Sequence, residues 1–546
     1  MPALNPRGTD FDRRAPNPNS RRVSEPDVSP TGAPRRGLRW WPAALILILA
    51  AISLAVVRSD AMRAALLRDK PHLTVDLFSA VVGMVTVGLL LLWWLLLSRA
   101  RWFWRVAALA GVGLFFACFR HAGMSGDLMP TFEPRWARPS PRAEPVAGGP
   151  VPAAPSAETR PDFPQFLGPD RTGILPSANF STNWSATPPV VLWRRPVGTG
   201  WSGFAIAGGR ALTQEQVNDQ ELVTCYAVTT GEPLWRHGYP ARYVSPIAGD
   251  GPRATPTVAG NRMFTLGSLG QLWCLELETG KPVWSRSLTN DAATRVPEWG
   301  FSGSPLVVDG LVVINAGGPA GKSLLAYRAE SGEPAWSAGD DGVTYGSPSV
   351  FTLAGTRQIV LFNHRCLTGH DPVTGRVLWR HPWGSHYPMV AMPQAVGTNR
   401  LLVTAGYNVG AALLDFQRSA DGAFTVKAAW ESKRLKAKFA NPYVRDGFVY
   451  GLDDGILTCL DLKDGTQRWK EGRHGHGQGL LVGDRFVLMA ETGELLLLQP
   501  TPDGPNELGR FRVFGDKTWN PIALSGDLLL ARNDREAALL RLARTP

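Results

Sequence analysis

Two series of short motifs recur along residues 161–546, and the chain as a whole is rich in turns and aromatic side chains. Together they predict an all-β fold, an eight-bladed β-propeller of four-stranded antiparallel blades, preceded by an α-helical transmembrane segment. The 546 residues are 44% hydrophobic and 19% charged and include 20 Trp and 22 Phe, which excludes a wholly disordered chain. The 58 Gly and 45 Pro follow no collagen period, so they mark frequent turns.

Residues 1–39 carry Pro and paired Arg with few apolar groups and read as a disordered basic tail. No residue is charged from Trp40 to Val57 or from Leu77 to Ser98, and a third apolar run, Trp102 to Phe119, is broken only by Arg105. Runs of this length are expected to cross ~30 Å of hydrocarbon. The Arg-rich tail and the loop bearing Arg99 and Arg101 should lie inside, which puts everything after Phe119 outside. Residues 121–160, dense in Pro, Ala and Gly, are expected to form a spacer. Residues 1–160 hold 20 Lys/Arg against 11 Asp/Glu, whereas 161–546 hold 37 against 35. The net charge of +11 therefore sits mostly on the N-terminal part, and the nearly neutral remainder is not expected to bind nucleic acid.

The first motif series places a turn before a Trp: TGEPLW (230–235), TGKPVW (279–284), SGEPAW (331–336), TGRVLW (374–379) and DGTQRW (464–469). Trp193 and Trp430 keep the phase without the Gly, and Phe511 takes the eighth position. The second series opens each unit with SGFAI, TPTVA, SPLVV, SPSVF, MPQAV, NPYVR, QGLLV and NPIAL, spaced 37 to 53 residues apart. That spacing suits four short strands per unit, and sheets that cannot bury both faces alone must pack around an axis. The last unit, ending at Pro546, lacks a fourth strand, whereas PVVLWRRPV (189–197) is a fourth strand with no strands before it. This segment is expected to complete the last blade and close the ring.

Cys225, Cys274 and Cys459 each fall six residues before a turn Gly and share one buried strand position, so they read as core residues on separate blades. The repeated Trp residues read as packing between blades. Around these motifs, with CLDLKDGTQRW as the clearest copy, the chain resembles the pyrroloquinoline quinone (PQQ)-like propeller repeats. The opening DFPQFLGPDRTGILP (162–176), LWRRPVGTGWSGFAI and TQEQ (213–216) look like the bacterial PQQ-binding-like group. The resemblance spans 161–546 and implies a propeller tethered to a bacterial inner membrane, in the periplasm. Its members include quinoprotein dehydrogenases, which use PQQ with Ca²⁺ and an Asp base, and non-catalytic propellers such as the assembly subunit BamB. The short blades match the second branch. The expected role is a protein- or ligand-binding platform in envelope assembly, with no cofactor. PQQ and calcium belong to the alternative, a membrane dehydrogenase of alcohols or sugars.

Entries into the first strand of each unit line a propeller's central funnel. The polar and aromatic residues there are the candidate ligand-binding set: Trp201, Arg253, Trp299, Tyr345, Lys438, His476, Gln478, Trp519 and Asn520, with Glu215 and Gln216 from the first unit. The same groups could instead satisfy the open backbone ends of the strands. His474 and His476 could converge on a metal only with a third ligand, which the sequence does not identify. Asp340-Asp341 and Asp453-Asp454, each followed by Gly, read as hairpin turns.

Overall fold

In the computed structural model, which describes residues 38–59, 75–126, 130–136, 160–176, 180–385 and 387–544, the repeats fold into consecutive antiparallel sheets. Among the described residues there are eight such sheets of four strands, one of them extended by a fifth. Sheet 2 is typical: Thr257–Ala259, Arg262–Leu266, Gln271–Glu276 and Pro282–Ser287 follow one another as a meander. Sheet 1 precedes it at 205–240. Sheets 3 to 8 begin at Leu306, Ser349, Gln394, Tyr443, Gln478 and Ala523. The first strand of sheet 1 lies against the first strands of both sheet 2 and sheet 8, so the sheets are arranged about a common axis as a β-propeller.

The turn-then-Trp motif has a physical reason. Five of the repeated Trp residues lie over the turn Gly of the following sheet: Trp193 over Gly231, Trp235 over Gly280, Trp284 over Gly332, Trp336 over Gly375 and Trp430 over Gly465. A Cβ on Gly231, Gly332 or Gly465 would stand 2.6 Å from ring atoms, and on Gly280 or Gly375 closer still. These glycines also have φ near +70°, a region L side chains avoid. The indole N–H groups of Trp193, Trp235, Trp284, Trp430 and Trp469 donate to carbonyls of the next sheet, those of Val228, Leu277, Ala329, Leu462 and Thr501. Trp379 departs from the pattern. It donates to Gln358 of its own sheet and packs 5.0 Å from Phe416 of sheet 5. Cys225, Cys274 and Cys459, all free thiols, pair in register with Trp235, Trp284 and Trp469.

Val190–Pro196 is the fourth strand of sheet 8, antiparallel to Glu536–Arg541. Arg532, fully buried, fastens this seam by donating to Thr213 Oγ1 and to the carbonyls of Gln214, Gly198 and Gly200.

The segment 162–176 runs through the axis, a placement composition and spacing alone do not reveal. Phe163 exchanges backbone hydrogen bonds with Ile206 of sheet 1, and Pro164 accepts from Val258 of sheet 2. Arg171 donates to Ser304 and Pro305 at the entry to sheet 3, and Thr172 accepts from Gln394 of sheet 5. Gly173 packs on Tyr443 of sheet 6, and Ile174–Leu175 pairs parallel with sheet 7 at Leu481 and Val482. The innermost strand of a propeller sheet presents an open backbone edge, and this segment pairs with several of them at once.

The N-terminal part forms three helices: α1 (Trp41–Arg58), α2 (Val75–Leu92, continued by a π-helical turn Trp93–Leu97) and α3 (Trp102–Cys118). Among the described residues, no helix is long and apolar enough to cross a membrane. This corrects the expectation of three spans. Of the three, α1 and α3 run 18 and 17 residues, which at 1.5 Å each reach about 27 Å, short of the ~30 Å hydrocarbon core. The basic tail expected at 1–39 falls almost wholly outside the described residues, as do 137–159 of the expected spacer. In place of the start of that spacer, Phe119–Met124 pairs with Pro130–Pro134 as a hairpin, held by an Arg120–Glu133 ion pair at 2.6 Å.

Candidate functional site

The hydroxyls and amides that open the sheets form a belt around the axis. The Gly203 N–H donates to Thr255 Oγ1, the Thr255 N–H to Ser304 Oγ and the Ser304 N–H to Ser347 Oγ, at 3.1, 3.0 and 2.8 Å. Further round, the Met392 N–H donates to Asn441 Oδ1, Gln478 Nε2 donates to the Phe439 carbonyl, and Asn520 Nδ2 to those of Gly200 and Ser202. Each donor–acceptor pair bridges neighbouring sheets. Thr255, Ser304, Ser347, Asn441 and Asn520, each before a strand-opening Pro, are polar because each side chain supplies a partner to the adjacent sheet's entry.

Above this belt lies a cavity of about 1000 Å³, open volume included. Six of the eleven candidate residues line it: Trp201, Arg253, Trp299, Tyr345, Gln478 and Trp519. Its walls are largely aromatic. Trp201 and Trp519 sit 4.8 Å apart, Trp299 stacks on Tyr345 at 5.2 Å, and Phe439 meets Trp519 edge-on at 5.2 Å. Arg253 lies 4.8 Å over the Tyr243 ring and donates to the carbonyls of Ala248, Gly249 and Gly251. Lys517 Nζ stands 4.1 Å over Trp519 and 5.1 Å over Trp201. Burial holds the Lys517 ammonium below the usual lysine range, although Asp534, Glu491 and Asp516 partly offset it.

The other candidates sit elsewhere. Glu215 is fully buried in sheet 1, accepting from the Gly198 N–H at 2.7 Å and the Tyr226 hydroxyl at 2.5 Å. Gln216 accepts from the Tyr243 N–H at 2.7 Å, and Asn520 belongs to the belt. Lys438 and His476 flank the funnel mouth beneath the 119–134 hairpin. Lys438 Nζ donates to the Gly126 carbonyl at 3.3 Å, and a Cβ on Gly126 would overlap the His476 ring. The Gly126 N–H in turn donates to Glu491, and Ser125 and Gly126 become part of the cavity wall.

Phe166, Tyr407, Phe439 and Lys517 are additions. Phe439 and Lys517 stand two and three residues before Asn441 and Asn520, so the strand-entry rule reached their neighbours but not them. Phe166 comes from the axial segment and Tyr407 from a loop of sheet 5, neither marked by the repeat.

Asp341 pairs with Arg380 at 2.6 Å, and Asp453 is held by Lys470 at 2.8 Å and by Lys436, so both are structural. Among the described residues no three His, Cys, Asp or Glu side chains converge on a metal-sized site. Among the described residues no carboxylate lines the cavity. The donor set there does not fit a calcium-bound quinone with an Asp base.

Sheets joined by a Trp-over-Gly contact, closed by an N-terminal strand around a belted funnel, define a repeat β-propeller. Residues 218–471 match the family described as "Outer membrane protein assembly factor BamB", and the chain carries the PQQ-like β-propeller repeat. No curated protein matches it in sequence. Its fold is similar to that of quinohemoprotein alcohol dehydrogenase from Comamonas testosteroni, with 13% identity, a TM-score of 0.50 and coverage of 72% of this chain and 82% of that one. A quinohemoprotein alcohol dehydrogenase from Pseudomonas putida HK5 shows 12% identity, a TM-score of 0.51 and coverage of 70% and 81%. BamB from Moraxella catarrhalis shows 16% identity, a TM-score of 0.32 and coverage of 63% and 85%. At these identities the likeness to the two dehydrogenases is one of fold.

Proposed function

We propose that this protein is a non-catalytic, eight-bladed propeller that uses its funnel to bind a protein or small-molecule ligand at the bacterial envelope. The observation that carries this reading is the cavity itself: aromatic walls with Arg253 and Gln478 among them and, among the described residues, no carboxylate to serve as general base or calcium ligand. The description of the matched family favours a role in envelope assembly. The rival reading, a PQQ-dependent dehydrogenase, draws on the fold likeness alone.

The helices support association with a lipid bilayer. Leu45, Leu47, Ile48, Leu49 and Ile52 of α1 are about half exposed, as are Met84, Val85 and Val87 of α2 and Phe103, Leu109 and Leu114 of α3, an apolar surface that water does not favour.

The test is a titration of the purified full-length chain with PQQ and Ca²⁺, followed by dye reduction with alcohols and sugars. We expect no substrate-dependent reduction; reduction would overturn the non-catalytic reading. Carbonate extraction of cell membranes tests the association, with release into the supernatant as the contrary result.

A further inference from the structure

The polar groups around the cavity are unequal in kind. Trp201 and Trp519 line it, both residues are more than nine-tenths buried, and neither indole N–H has a partner. The Ser302 hydroxyl, also in the wall, lacks one too. Beside them stand two cations. Arg253 and Lys517 form no ion pair among the described residues; Arg253 donates to main-chain carbonyls of its own loop, and Lys517 to Met124 O at 3.1 Å. Donors and positive charge thus collect where, among the described residues, no lining carboxylate answers them, against the rule that buried donors find acceptors. Phe166, Ile247, Val390, Phe439 and Pro521 give the wall an apolar stretch.

Resting on the binding-platform reading above, we propose that the cavity takes an apolar organic anion. Its body packs against the aromatic walls. Its carboxylate or phosphate head accepts from the Trp201 and Trp519 indoles, with Lys517 and Arg253 supplying the charge. Lys517 lies over both indole faces, so one cation serves the two N–H donors, and the partial burial of the group strengthens the attraction.

The test uses the full-length chain in phosphatidylcholine nanodiscs, titrated with naphthalene-2-carboxylate and with its neutral isostere naphthalene-2-carboxamide, read by tryptophan fluorescence. The carboxylate is expected to bind about tenfold more tightly, an advantage that added salt diminishes. K517M should remove most of that advantage while leaving carboxamide binding alone, and W519F, which keeps a ring and loses the N–H, should cost the carboxylate about threefold. Equal affinity of the two probes for the unaltered chain overturns the anion assignment and leaves the binding platform standing, a comparison that needs no variant to fold. Binding of neither probe overturns both. Discs containing phosphatidylglycerol distinguish the source: competition with the carboxylate identifies a lipid headgroup, and undiminished binding a soluble acid, either outcome keeping the anionic chemistry.

Discussion

Trp235 of sheet 1 lies flat on Gly280 of sheet 2 while its indole N–H donates to the Leu277 carbonyl at 3.0 Å. One side chain thereby fixes both the spacing and the rotation of two neighbouring sheets, and the same contact recurs around the propeller.

G280A should destabilise the protein by about 3 kcal/mol, because the new methyl would fall inside the indole and the left-handed backbone at φ +68° disfavours it. Gly260, at φ +59° with nothing within 4 Å, is the control: G260A carries only the backbone penalty, about 1 kcal/mol. Denaturant unfolding of the two variants separates packing from conformation, and equal losses would show that the Trp contact contributes little.

Asp453 is fully buried, and the Lys470 and Lys436 contacts hold its carboxyl below the ordinary value of 3.8 against an opposing burial penalty. A depressed folded-state value means that its contribution is complete above the unfolded value and is lost as pH falls below 3.8 toward the folded one. D453N should cost about 2–3 kcal/mol at neutral pH and flatten the acid limb of the stability curve, measured by thermal melts from neutral to acid pH.

Arg171 anchors the axial segment to sheet 3 from a site where burial lowers its value to about 9. R171M retains the stem but loses both carbonyl contacts. Hydrogen exchange should then accelerate at Val258 and Leu481, whose N–H groups donate into the segment, while sheet interiors such as Leu413 stay protected.

Anion binding in the cavity should weaken as pH rises through the lowered Lys517 value, so the free protein loses affinity at a pH below the ordinary 10.5. Burial and Arg535 push this group down while Asp534, Glu491 and Asp516 push it up, and naphthalene-2-carboxylate titrations across alkaline pH read the midpoint. The carboxamide, which needs no cation, should show no such midpoint.

The sheets were legible because a repeated unit writes its turn, its Trp and its strand-entry residue many times, and each copy supports the others. The closing strand was legible for the same reason: Trp193 keeps phase with its counterparts though it lies at the far end of the chain. The cavity was half legible. Position relative to the strand-opening Pro located Trp201, Arg253 and Trp519, but whether a side chain there faces the axis or caps a neighbour depends on rotamer and packing, which separated Trp519 from Asn520. Phe166 and the 119–134 hairpin could not be read, since both reach the funnel through contacts more than 30 residues distant in sequence. The three apolar runs near the N-terminus were legible as helices, while the π-helical turn Trp93–Leu97 that ends the second is not encoded in hydropathy.

The axial segment also sets the path that force takes through the molecule. The strand that closes the propeller, Val190–Pro196, is joined to the N-terminal helices only by way of residues 162–176. A tug on those helices therefore meets the hairpin's contacts with Lys438, Glu491 and Lys517 and then, along the chain, the gripped axis before it reaches the closing strand. Strain from a moving anchor would be shared among several inner strands, and the edge whose loss would open the propeller would be the last to feel it.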